Sequence, residues 1–151
     1  GPMLFKTPAR EIASIRKVAH YWADIDVLPG QNPLSDISGD LFDIRLELET
    51  GEATVCGLEV RGTEIRCEVL ENALHCLGLV MPIEISDGRI DLRVLVDRVS
   101  LEIFANRGRT TLTTCFLPKL EEPPLRLFSL GSACRAITLD VHELHSAWTE
   151  E

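Results

Sequence analysis

Carboxylates and guanidinium groups crowd one short stretch of this chain. In residues 90–118, IDLRVLVDRVSLEIFANRGRTTLTTCFLP, Asp97 and Glu102 stand among Arg93, Arg98 and Asn106. A carboxylate pair with a nearby guanidinium can grip vicinal hydroxyls of a sugar, because hydrogen bonds to ionised groups are the strong ones. The same residues have plainer uses. Asp97 with Ser100 can cap a turn through Asx-type bonds, and Glu102 can pair with Arg93 or Arg98. At the level of sequence both uses stay open.

These residues need rigid elements beneath them, and the pattern supplies strands. Ile90, Leu92, Val94 and Val96 fall on one face, and Leu101, Ile103 and Ala105 do so on the next run. Such period-2 alternation marks half-buried antiparallel strands joined by a tight turn. Phe104 shares the face of Glu102. Upstream, Phe42, Ile44, Leu46 and Leu48 alternate with Asp43, Arg45, Glu47 and Glu49. Further strands are read over 55–60, 64–70, 74–77, 110–116, 125–130 and 136–144. Short strands at this spacing, with turn residues between them, predict two antiparallel sheets packed face to face. One helix is expected near the start: Thr7 as N-cap, Pro8 at the first position, then Ile12, Ile15 and Val18 or Ala19 on one face.

The run from Leu92 to Gly108, LRVLVDRVSLEIFANRG, resembles the signature of the C-terminal β-sandwich of glycoside hydrolase family 32, the invertases, levanases and inulinases. Thr7-Pro8-Ala9-Arg10-Glu11-Ile12 is similar to the segment that joins that family's catalytic propeller to its sandwich. Gly39-Asp40-Leu41-Phe42-Asp43-Ile44 resembles an early strand, and Glu143-Leu144-His145-Ser146-Ala147-Trp148 the usual ending. Where the family has Asn-Gly-type residues this chain has Asn106-Arg107-Gly108, and Val99 stands where a small polar residue is usual.

The resemblance implies an all-β, jelly-roll or lectin-like antiparallel sandwich with a short N-terminal helix. It also implies a fructan or fructose as ligand and the catalytic propeller as partner. Family 66 carbohydrate-binding modules resemble the same sandwich, and they imply terminal fructosyl binding through Asp97, Glu102, Arg93, Arg98 and Asn106. The family's catalytic Asp-Pro and Glu-Cys dipeptides are absent from the sequence. Glycoside hydrolysis needs two carboxylates flanking the scissile bond. The expectation is therefore a non-catalytic domain of a β-fructosidase-type parent, with no catalytic residue, metal or cofactor of its own. The alternative is a purely structural domain that packs on the propeller. Gly1-Pro2 reads as a tag-cleavage scar, residues 3–30 as a linker with the helix, and 31–151 as the sandwich.

Composition narrows the partners. The net charge of −9 over 151 residues argues against nucleic acid and anionic membrane, which call for clustered Lys and Arg. Five cysteines, an odd number without any C-x-x-C pair, read as buried free thiols and lean towards a reducing compartment, although localisation is left open. Tyr21 and Trp22 offer a stacking platform, with core packing the favoured reading. Asp36, Asp40 and Asp43 offer oxygen ligands for calcium, with a solvated loop favoured.

Overall fold

The computed structural model describes residues 16–144 as eleven strands in two antiparallel sheets. They are β1 (Arg16–Val27), β2 (Leu41–Glu49), β3 (Val55–Val60), β4 (Thr63–Glu68), β5 (Ala73–Cys76), β6 (Leu79–Pro82), β7 (Arg89–Val96), β8 (Ser100–Ala105), β9 (Thr110–Cys115), β10 (Leu125–Leu130) and β11 (Cys134–Leu144). One sheet has the order β1-β11-β2-β7-β8-β9 and the other β10-β3-β4-β5-β6. The two apolar faces meet in a single core. The all-β sandwich expected from the alternation is what forms.

The alternation and the register act together. Val141, Ile44, Val94, Ile103 and Leu112 lie side by side across five strands on the inner face. One residue further along, the outward row reads His142, Asp43, Leu95, Glu102 and Thr113. A slip of one residue would turn every one of these to the wrong side, so the buried face fixes the register.

Two expectations need correction. Val18 and Ala19 lie in β1, not in a helix, and this strand belongs to the six-stranded sheet through β11. The stretch read as a linker therefore contributes a strand from Arg16 onward. The rest of the expected helix, Thr7 to Ile15, lies outside the described residues, as does Trp148. Strand β6, absent from the sequence reading, forms one edge of the five-stranded sheet.

Four of the cysteines are buried free thiols, while Cys115 is exposed. Cys56 and Cys67 face each other across the β3–β4 ladder. Cys134 reaches Cys56 from the other sheet through a thiol hydrogen bond, which raises the pKa of Cys56, as burial does too, and lowers that of Cys134 against the opposing effect of burial. Burial pushes Cys67 up to about 12 and Cys76 up to about 11. The thiolate is the reactive form. A thiol reagent at neutral pH should modify Cys115 rapidly because it is exposed, and the other four, Cys134 with its lowered pKa included, only as fast as the domain opens, because they are buried. Two or more rapid equivalents in a stopped-flow titration would contradict this packing.

Glu59 on β3 is largely buried, its side chain 15% exposed and 3.8 Å from Arg126. Burial raises its pKa above the ordinary carboxylate value, opposed by Arg126. An acid raised in the folded state costs stability above its folded pKa and regains it as pH falls. Glu59→Gln should accordingly raise the urea midpoint at neutral pH, and the gain should vanish below about pH 4, where the unfolded carboxyl protonates. A gain that persists in acid would assign the effect to something other than the charge.

Candidate functional site

The five candidate residues ride on β7, β8 and the turns at either end of them. Asp97 and Arg98 lie in the turn between the strands, whereas Asn106 follows β8 at its far end. A strand of six residues spans about 20 Å. These ends therefore cannot close on one sugar ring, and the structure does not bring the five residues together.

Arg93 has a strong internal partner. Its Nε donates to Asp43 Oδ1 at 3.0 Å and its Nη2 to Oδ2 at 2.9 Å, a bidentate pair. Asp43, on β2, is 0% exposed although it lies on the outer face of the sheet. The hydrogen bonds to Asp43 raise the pKa of Arg93 against the opposing effect of desolvation, and Glu102 adds to the same field. Glu102 stands one diagonal step away, opposite Leu95, while Phe104 stands directly opposite Arg93. Asp43 was the residue missed as a partner. It sits 50 positions from Arg93, and only the β2–β7 register makes them neighbours.

Asp97 serves its turn. Its Oδ1 accepts from the Arg98 amide at 2.7 Å, and its own amide donates to the Ser100 carbonyl at 2.9 Å. The Arg98 guanidinium lies 4.0 Å from Asp40, which also takes Arg61 at 3.3 Å. Asn106 is clasped to the backbone of Glu84: its Nδ2 donates to the carbonyl and its Oδ1 accepts from the amide, both at 2.9 Å. Asn106 and Arg107 both take positive φ, 53° and 58°. Asparagine tolerates that conformation, and Arg107 is held in it by its amide's bond to Asp91 Oδ1 at 2.9 Å.

Among the described residues three concavities contain candidates: one of about 640 Å³ holds Asn106, beside Glu84, Asp91 and Arg109, and two hold Arg93, Asp97 and Arg98. On the outer face of the six-stranded sheet a shallow cleft of about 400 Å³ is lined by Arg45, Glu47, Asp91, Arg93, Phe104, Arg107 and Thr138. It offers one aromatic ring among charges of both signs. Beside the turn a second cleft of about 250 Å³ opens between the two sheets, with Asp97 and Arg98 at its rim and apolar walls. Tyr21 is exposed on the outer face of β1, whereas Trp22 packs on the core and stacks on His20 with ring centroids 6.0 Å apart. Asp36, Asp40 and Asp43 do not gather: Asp40 pairs with Arg61 and Asp43 with Arg93. Among the described residues no group of three or more acidic, His or Cys side chains could hold a metal ion. No helix among them is long and apolar enough to cross a membrane.

The fold defines an antiparallel β-sandwich, and comparison identifies its family. Residues 68–143 match the sequence model of the glycosyl hydrolases family 32 C-terminal domain. The chain belongs to that family. It is 25% identical to the levanase of Bacillus subtilis over 172 aligned positions, covering 98% of this chain and 25% of the levanase. It is 40% identical over 63 residues to the extracellular exo-inulinase of Aspergillus niger, covering 42% of this chain and 12% of that enzyme. The solved exo-inulinase of Aspergillus awamori superposes with a TM-score of 0.71 at 19% identity, over 91% of this chain and 31% of that one. The chain thus matches only part of these longer relatives, between 12% and 31% of their length.

Proposed function

We propose that this chain is the non-catalytic C-terminal domain of a fructan-active glycoside hydrolase, and that it packs on and stabilises the catalytic β-propeller. The relatives named levanase and exo-inulinase support the class of parent. One observation carries the packing role: the polar candidates are engaged within the domain, while large apolar side chains stand on its surface. Arg93 is committed to Asp43, Asp97 to its turn and Asn106 to Glu84. Val99, Leu117 and Leu120 are exposed by 58%, 87% and 74%. Unpartnered apolar surface of this kind marks contact sites. The test is to heat the parent enzyme with and without this domain. Earlier inactivation of the truncated enzyme is expected; equal heat resistance would sink the packing role.

The second reading, binding of terminal fructosyl residues, is favoured by the cleft around Phe104. A ring with carboxylates and guanidiniums beside it is the usual make-up of a small polar-ligand site. Isothermal titration of the domain with fructose, levan and inulin checks it, with Phe104→Ala and an Asp97→Ala/Glu102→Ala variant alongside. Saturable heat lost in Phe104→Ala would establish the reading at this cleft. Absence of heat up to millimolar sugar would remove it.

A further inference from the structure

We infer that the cleft between the sheets beside the 97–100 turn receives one apolar side chain of the catalytic domain. The inference rests on the packing role proposed above and names its central contact. The cleft, of about 250 Å³, has room for one leucine-sized or aromatic side chain. Its walls come from three places: Phe42 and Val96 of the six-stranded sheet, Val60 of the five-stranded sheet, and Phe116 of the segment that follows β9. All four are buried members of the core. Val99 and Leu120 stand exposed at the mouth. The segment is pinned in place, because the Phe116 amide donates to the Val99 carbonyl at 2.8 Å and the Lys119 amide to the Arg61 carbonyl at 2.9 Å. The hole is therefore built into the fold.

Its chemistry excludes a sugar. The hydroxyls of a sugar would lose water there and find few partners on the walls, which is costly. The charged residues of the lining are Arg61, Arg98, Asp40 and Asp97, and Arg61 and Arg98 lie 3.3 Å and 4.0 Å from Asp40. An apolar centre inside a satisfied polar rim is the anatomy of an anchoring contact between protein surfaces.

Topology says which body faces it. Arg16 pairs with Leu144, Leu144 with Leu41, and Phe42 with Val96. The start of β1 and the mouth of the cleft thus lie at the same end of the six-stranded sheet. β1 stands two strands from β2, about 10 Å. In the proposed parent the catalytic domain precedes this one, so the joining chain enters the sandwich at this end.

The experiment uses the parent enzyme in four forms: intact, lacking this domain, Val99→Glu/Leu120→Glu, and Leu70→Glu. Leu70 is exposed at the opposite end of the five-stranded sheet, next to the β3–β4 pair Val55 and Glu68, and serves as control. Heat inactivation is followed in each, and the isolated domain carrying the same substitutions is melted in parallel. The expected result is that Val99→Glu/Leu120→Glu inactivates at the temperature of the truncated enzyme. Leu70→Glu should match the intact enzyme, and the isolated domains should melt alike. If the double variant resists heat like the intact enzyme while the truncated form does not, the inference falls and the packing role stands. If truncation itself has no effect, the packing role falls first. A lower melting point of the isolated double variant would mean that the domain closes the cleft with its own chain, and would also overturn the inference. Loss of a dimer by light scattering, with heat resistance kept, would assign the cleft to a second copy and overturn it too.

Discussion

Arg93→Met should lower the stability of the domain by about 3 kcal/mol, the low end of the cost of breaking a buried ion pair, because Asp43 is fully buried while the Arg93 side chain is 35% exposed. The guanidinium makes both of its short hydrogen bonds to a carboxylate with no solvent exposure. Methionine keeps the aliphatic stem over the sheet but leaves Asp43 without its bidentate donor. The lost attraction is large because little water can replace it. In urea this appears as a lower midpoint at unchanged slope. For a chain of this size it corresponds to a fall of roughly 10 °C in melting temperature. The double variant Arg93→Met/Asp43→Leu should recover much of the loss, since replacing a whole buried pair by apolar groups is often neutral. The measurement also bears on function. If Arg93 were held for a ligand, its removal would leave the midpoint in place and change only sugar affinity. An unmoved midpoint would therefore show that the remaining contacts of Asp43 suffice and would return Arg93 to the fructosyl-binding reading.

The pair also shows what the sequence could and could not say. The strands carrying the candidates were legible because β7 and β8 alternate without interruption, buried inward and half-exposed outward. A turn use of Asp97 was open in the sequence, and the side-chain bond found is to the next amide, that of Arg98, rather than the Asx-type bond expected. The Asp43–Arg93 pair was not legible. An acid between Phe42 and Ile44 on an alternating strand reads as solvated, and nothing local reveals that a guanidinium of β7 covers it.

Strand β1 was illegible for a different reason. Ile12, Ile15 and Val18 or Ala19 carry the period of a helix face, and within β1 Trp22, four residues on from Val18, and Ile25, three further, continue it. In the structure Trp22 and Ile25 both pack on the core because Asp24, with φ of 54°, breaks the alternation between them. A local irregularity in a strand thus imitates a helical period. Strand β6 was hidden by its shortness, its Pro82 and its mostly exposed side chains, all of which suit an edge.

Gly57→Ala should be among the most damaging single substitutions, costing about 3 kcal/mol, the upper part of the range for overpacking. Gly57 lies in β3, the second strand of its sheet, between Phe128 of β10 and Arg66 of β4. A methyl group there would run into the Ile65 carbonyl oxygen and sit 3.1 Å from its carbon. Those atoms are backbone, so no rotamer change relieves the clash. The β3–β4 ladder must open, and with it the stretch that holds Leu58, Ile65 and the Cys56–Cys67 pair in the core. Conformational entropy does not explain the glycine here; the close approach of β4 does. Gly78→Ala separates the two effects. Gly78 has nothing within 4 Å of where its Cβ would stand, yet takes φ of 82°. Alanine there strains only the turn, so its midpoint should fall by about 1 kcal/mol. A loss at Gly57 no larger than at Gly78 would show that β3 and β4 can separate cheaply. It would then follow that the five-stranded sheet is held by its inner face rather than by its ladder.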